Sequence, residues 1–265
     1  MDYARTTQFI RGLYDAILDS LKTTNKIPVH VLYTGTGPYA PLMLAMTKMF
    51  TPAQVQFTLV EVHPLSFEYV NHIVQRLNLT DYIHKIEMLD ATNLSLSDYD
   101  NFDICITETM NAALKKEPQV AITGHISRQM EADAIFIPQK VHIYAGMSNP
   151  SVEHLKMNEL EYKNTTLIQK LGTIMELVPS KSSSFYTIFP KIKVEIPKEL
   201  VEQFPLLSLY TEIDIYGKQR LTSGVSAITM PQPVLNLSQS PVLNSELYFQ
   251  YQMGKEPGFI YHLNS

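Results

Sequence analysis

A chain of 265 residues has volume for one large domain or two small ones, and 45% hydrophobic with 18% charged residues is ordinary for a soluble globular protein. The net charge of −5 gives no electrostatic reason to seek nucleic acid or anionic lipid, and the pair Lys115–Lys116 is too short to track phosphates. A single cysteine, Cys105, excludes an intrachain disulfide and fits a reducing compartment. The N-terminal stretch MDYARTTQFIRGLYDAI lacks the apolar centre of a signal peptide, and the longest apolar run, Pro41 to Met46, is too short for a bilayer. A cytoplasmic, membrane-free protein is expected.

In chain order, Phe9, Ile10, Leu13, Ile17 and Leu21 recur at helical spacing. The β-branched run 27–34 reads as a strand closed by Gly35 and Gly37, and 40–50 as a helix. A strand over 55–62 precedes a helix that starts at Pro64 and runs to about Asn78. Three further strands fall at 82–89, 102–107 and 133–138. Strands separated by helical stretches imply right-handed crossovers, so the expected fold class is α/β with a Rossmann-like parallel sheet. After Pro138 the helical period fades, strand-like segments appear at 139–146, 184–195, 207–216, 225–230 and 245–252, and 179–184 is a polar loop. The expected organisation is a nucleoside-binding domain over 1–145 followed by a smaller, mainly antiparallel β domain over 146–265.

Four features could carry chemistry. A strand ending in Gly35-Thr36-Gly37 lets backbone approach a ligand at the carboxyl edge of a sheet, although a tight strand-to-helix turn without ligand uses the same residues. Tyr39 follows Pro38 where a third glycine would serve a pyrophosphate, so a smaller nucleoside suits the turn better than a dinucleotide. Glu61 ends the second strand, where a carboxylate accepts hydrogen bonds from ribose hydroxyls or is merely solvated. Asp90–Ala91 follows the third strand and can meet an adenine edge or cap a turn. Glu108 follows the fourth strand, and Glu117 lies nine residues on, a spacing that lets a loop bring two carboxylates together. Such a pair needs a cation between its members, and a planar guanidinium answers that need; Glu117 beside Lys115 and Lys116 also reads as a solvated residue. His63, His72 and His84 lack the spacing of metal ligands, so no metal is expected.

The segments VLYTGTGPYAP, LVEVHP, ICITETMNAALKKE and ADAIFIPQKVHIYAG together resemble the protein arginine methyltransferase family, within the class I methyltransferases. The texture is nearest its branch making symmetric dimethylarginine, through the glycine turn followed by Pro41-Leu42. The resemblance implies S-adenosylmethionine as cofactor, held by Gly35, Thr36, Gly37, Glu61, Asp90, Ala91 and Glu108. It implies Glu108 and Glu117 as the glutamates that hold a substrate guanidinium. It also implies a first helix with a basic residue for the cofactor carboxylate and a tyrosine near the reaction centre, here Arg11 and Tyr14, and LYTEIDIYG (209–217) as part of a following β-barrel. The partners would be a peptide, protein or small guanidino or amine substrate, with a homodimer as the assembly.

The chain departs from that pattern in three places. Tyr33 stands two residues before Gly35, where class I methyltransferases usually carry an acid. No Thr-His-Trp-like loop and no tryptophan is found, and the second region is shorter than the family's barrel plus dimerisation arm. These departures keep two alternatives open: a small-molecule or peptide-tailoring methyltransferase with another acceptor, and a non-catalytic binding subunit.

Overall fold

The computed structural model describes residues 2–23, 27–98, 101–151, 168–181, 189–239 and 246–264. Helix α1, Tyr3–Thr23, buries Phe9, Leu13, Ala16 and Ile17 along one stripe and carries Lys22 in its last turn, where a cation suits the helix dipole. Gly12 lets that helix lie close on the second half of the chain: a Cβ there would stand 2.5 Å from Ile215 Cγ2.

Five strands form a wholly parallel sheet in the order β3-β2-β1-β4-β5: β1 (Val29–Thr34), β2 (Val55–Glu61), β3 (Ile83–Met88), β4 (Ile104–Thr107) and β5 (Ile135–Ile137). Helices α2 (Pro41–Met46), α3 (Pro64–Arg76) and α4 (Gln119–Ser127) make crossovers, and the β3–β4 link carries the short 3-10 turns Ala91–Asn93 and Leu96–Asp98. The sheet's two faces carry separate cores. One includes Tyr33, Leu59 and Ile106 under α1; the other packs Leu32, Val60 and Cys105 against Ile122 and Ile126 of α4. The strand order reverses direction between β1 and β4, so the crevice for a ligand is expected outside their carboxyl ends.

From β6 onward the strands are antiparallel. β6 (Lys140–Ser148), β7 (Ile168–Leu177), β9 (Leu206–Tyr216) and β10 (Gln219–Leu221) make a sheet ordered β10-β9-β6-β7, with β11 (Gln232–Asn236) also paired to β9. β8 (Ile192–Val194), β12 (Glu246–Gln252) and β13 (Gly258–Asn264) form a third sheet, ordered β13-β12-β8. The expected Rossmann-like sheet and antiparallel region are therefore both present. The sheet changes between β5 and β6, with β6 wholly in the antiparallel part.

Three expectations need correction in detail. Over 225–230 the chain forms a 3-10 turn, Ala227–Thr229, instead of a strand, because Ser226 and Thr229 bond each other's backbone in a capping box. The strand expected over 184–195 is confined to Ile192–Val194, with 184–188 outside the described residues. Strands β7, β10, β11 and β13 were not foreseen. No described helix is long and apolar enough to cross a membrane.

Candidate active site

The site begins where β1 ends. Thr34 pairs with Val60 of β2 and with Thr107 of β4, so the next residues, Gly35, Glu61 and Glu108, stand level on three adjacent strands. The chain leaves β1 through Gly35 at φ +72° and Gly37 at φ +59°, a region that glycine enters without the penalty of a Cβ. Gly35 also has no room for a side chain: a Cβ would lie 2.2 Å from Thr109 Cγ2. Thr36 is buried within the turn.

Glu61 is 4% exposed. Its Oε2 accepts the Gly37 N–H at 2.8 Å and its Oε1 the His63 N–H at 2.9 Å, so one carboxylate ties the glycine turn to the start of α3. Two backbone donors use about half of a carboxylate's acceptor positions, and the rest remain for hydroxyl groups.

Glu108 faces Arg5 of α1, whose Nη1 lies 3.5 Å from each carboxylate oxygen. The Glu108 side chain is only 17% exposed. Burial pushes its carboxyl up to about 7; Arg5 pulls the other way, and Asp2 and Glu117 push further up. Beneath it Tyr33 is 3% exposed. Burial drives the Tyr33 phenol far above its usual range, Glu108 adds to the rise, Arg5 opposes it and Glu61 adds again. A buried, neutral hydroxyl thus stands two residues before Gly35.

Glu117 is half-buried and accepts a hydrogen bond from Asn111 Nδ2 at 3.3 Å. The loop joining the two glutamates is strained: Ala113, Leu114 and Lys116 all have φ between 54° and 66°. Each such residue costs of order 1 kcal/mol or more, and the conformation persists only where surroundings over-determine it. They do so here from both sides. The Thr109 N–H and hydroxyl both donate to Gln119 Oε1 at 3.0 Å, and Gln119 is fully buried. From the antiparallel region, Thr211 Oγ1 accepts the Ala113 N–H at 2.9 Å, the Tyr251 hydroxyl donates to the Leu114 carbonyl at 2.9 Å, and the Pro257 carbonyl accepts the Lys116 N–H at 2.7 Å.

Asp90 is exposed and caps the turn after β3, its Oδ1 accepting the Thr92 N–H at 2.9 Å; Ala91 is buried below it. Asp90 and Glu117 line one cleft of about 320 Å³, together with Pro118 and with Met253 and Lys255 beyond β12.

The structure brings together Gly35, Thr36, Gly37, Glu61 and Glu108, with Asp90, Ala91 and Glu117 along the same sheet edge. It does not bring Arg11 or Tyr14 there. Arg11 is exposed, and six residues from Arg5 it points about 240° round the helix. The Tyr14 ring packs 5.4 Å from that of Phe50, beyond α2. Arg5, not Arg11, is the arginine of α1 that faces Glu108, and the sequence does distinguish the two: Arg5 lies four residues before Phe9 on the face of Phe9, Leu13 and Ile17, whereas Arg11 lies across the helix. Asp2 was readable as a helix cap: its Oδ1 accepts the Arg5 N–H at 3.1 Å. Gln119, Thr211 and Tyr251 carry no local signal of their part in the loop.

No protein-family model and no curated protein matches the chain. Solved structures match over its whole length. The Trypanosoma brucei PRMT1 enzyme–prozyme heterotetrameric complex with AdoHcy is 13% identical, with 99% of this chain and 90% of that chain covered and a TM-score of 0.60. Arabidopsis thaliana protein arginine methyltransferase 10, in an open conformation, is 11% identical, with 99% and 95% covered and a TM-score of 0.60. PRMT6–SAH is 9% identical, with 100% and 97% covered and a TM-score of 0.65. The chain is thus built on the class I methyltransferase fold. More narrowly, that fold is the one the protein arginine methyltransferases have, from the parallel sheet through the antiparallel region.

Proposed function

We infer that the chain is an S-adenosylmethionine-dependent methyltransferase whose acceptor is a guanidino group, an arginine in a peptide or protein or a related compound. The observation that carries this reading is the level row Gly35, Glu61 and Glu108 at the β1/β4 switch, with a guanidinium already facing Glu108. The residues fit the donor's parts. Glu61 has acceptor positions for ribose hydroxyls, Arg5 matches a carboxylate, and the Asp90–Ala91 turn borders the place for adenine. When bound, the donor supplies an activated methyl group on a cationic sulfur.

The chain's own task is alignment, charge placement and exclusion of water. Glu108 and Glu117 hold the acceptor by two of its nitrogens and draw positive charge onto them, which leaves the third nitrogen richer in electrons. Glu108, with its carboxyl at about 7, also stands ready to take the proton that this nitrogen sheds near neutral pH. A homodimer belongs to the same reading and is tested by sedimentation of the full chain.

The test is transfer of labelled methyl to arginine peptides, alongside calorimetric titration with S-adenosylhomocysteine. Glu108→Gln should abolish transfer and leave that titration nearly unchanged; wild-type rates in the variant would remove the glutamate pair from the chemistry. The non-catalytic reading draws on Glu61, closed in at 4% exposure with both oxygens already bonded. Absence of S-adenosylhomocysteine binding would favour it.

A further inference from the structure

Tyr33 belongs to the rim, yet the chemistry above leaves it without a task. On β1 it pairs with Leu59 of β2 and Ile106 of β4, and all three side chains enter the core beneath α1. Side chains alternate along a strand, so Glu61 follows Leu59 on that face, and Glu108 follows Ile106 toward Arg5 of α1. Tyr33 thus lies between the two glutamates and one pleat below them. That step is about 6–7 Å along a strand, within the reach of a tyrosine side chain. Beyond its burial, the phenol responds to Glu108, Arg5 and Glu61, all of them groups of the rim. The side chain is buried, and its hydroxyl has no hydrogen-bond partner among the described residues.

Glu108 is the group short of a donor. Arg5 Nη1 stands 3.5 Å from each of its oxygens, longer than the roughly 2.7–2.9 Å of a tight charge-assisted bond. The next donors along the loop are taken: the Thr109 N–H and hydroxyl go to Gln119, and Asn111 Nδ2 goes to Glu117. Glu61 is better served, with a backbone N–H on each oxygen. A buried carboxylate without donors resists ionisation, and a hydroxyl turned onto it relieves that resistance. We propose that Tyr33 is a positioning residue for Glu108: its hydroxyl donates to that carboxyl once it is ionised, and so steadies the charged base beside the acceptor. This rests on the function proposed above. In transfer the Glu108 carboxylate takes the proton shed by the acceptor nitrogen, while Tyr33 keeps its own, because burial holds the phenol far above its usual range. An acid in its place, the residue type usual in class I methyltransferases, would set a third carboxylate beside Glu61 and Glu108 and oppose that ionisation.

The experiment is thermal unfolding of the wild type and Glu108→Gln, each with and without Tyr33→Phe, over a series of pH values. Phenylalanine fills nearly the same volume in the core, so the fold is kept. The other charged groups around Glu108 are the same in all four chains: Arg5 and Asp2 of α1, Glu117 of the loop and Glu61 of β2. With tyrosine in place, the stability gap between wild type and Glu108→Gln opens as pH rises and levels off once pH passes about 7. Tyr33→Phe should move that levelling up by about 0.5–1 pH unit, since the charged form loses a donor. In the labelled-methyl assay it should lower kcat/KM for an arginine peptide about threefold to tenfold near pH 6.5 and come within about twofold of wild type by about pH 9. Recovery with pH is what a purely structural defect does not give. A gap that levels off at the same pH with and without the hydroxyl, or a rate loss equal at every pH, overturns the proposal and leaves the methyltransferase reading standing. Absence of both methyl transfer and S-adenosylhomocysteine binding in the wild type overturns that reading, while a moved levelling would still show Tyr33 holding Glu108.

Discussion

Replacing Glu108 by glutamine should make the protein more stable above neutral pH while removing its proposed activity. The Glu108 carboxyl lies at about 7 instead of its ordinary 4.5, chiefly because burial disfavours its charge. The native state therefore holds this proton more tightly than the unfolded chain does. The resulting stability is full below about pH 4.5 and is lost as pH rises through about 7. At pH 8 the charged side chain costs the native state about 2–3 kcal/mol, given 1.36 kcal/mol per decade and allowing for the 17% that solvent still reaches. Glutamine has nearly the shape of the protonated acid and carries no charge. Thermal unfolding at a series of pH values should show the variant level with the wild type near pH 4 and roughly 4–12 °C more stable at pH 8. Titrations of groups remote from Glu108 cancel in the difference, whereas its neighbours Arg5, Asp2 and Glu117 feel the loss of its charge. A variant equal to or weaker than the wild type at pH 8 would mean that Arg5 fully offsets the burial, and Glu108 could not then act near neutrality as argued.

Gly35→Ala should cost about 2 kcal/mol or more in chemical denaturation, through its φ of +72° and a methyl group driven into Thr109, which Gln119 holds in place. Gln119→Leu removes the acceptor for both Thr109 donors inside a buried site; a loss of about 1–3 kcal/mol is expected, with methyl transfer falling further than S-adenosylhomocysteine binding. Equal losses in the two assays would make Gln119 a structural residue only. Asp2→Ala should free the first turn of α1 at a cost of about 0.5–2 kcal/mol, visible as faster amide exchange at Arg5 and Thr6, and unchanged exchange there would deny Asp2 its capping role.

The parallel sheet was legible because its central strands are buried on both faces and so read as short β-branched runs, as in Val29–Thr34 and Ile104–Thr107. The rim was legible for a related reason. Strand ends at the switch point fall in register, so Gly35, Glu61 and Glu108 could be picked out one strand at a time. Helix α4 escaped notice because seven of its nine residues are buried, which leaves no apolar stripe to recognise. Residues 225–230 misled because β-branched side chains suggested a strand, whereas the Ser226–Thr229 pairing set the backbone locally. The phase of α1 was legible in Phe9, Leu13 and Ile17, and Arg5 continues that face at four-residue spacing where Arg11 does not. What the sequence could not supply is the surface this helix meets, since Gly12 lies against Ile215 of β9 across some two hundred residues of chain.

The same separation explains why the antiparallel region is more than an appendage to the parallel sheet. Sequence spacing indicates that Glu117 can return toward Glu108, but the return passes through three non-glycine residues in a left-handed conformation. Left alone, those residues would relax, and the course of the loop to Glu117 would change. Thr211, Tyr251 and Pro257, drawn from two different antiparallel sheets and the turn beyond one of them, hold that loop by its backbone. The course of the loop from Glu108 to Glu117 is thus a tertiary property: the parallel sheet supplies its start, and the antiparallel region fixes its backbone. A loss at Tyr251 or Thr211 should therefore reach the proposed methyl transfer before it reaches the stability of the sheet.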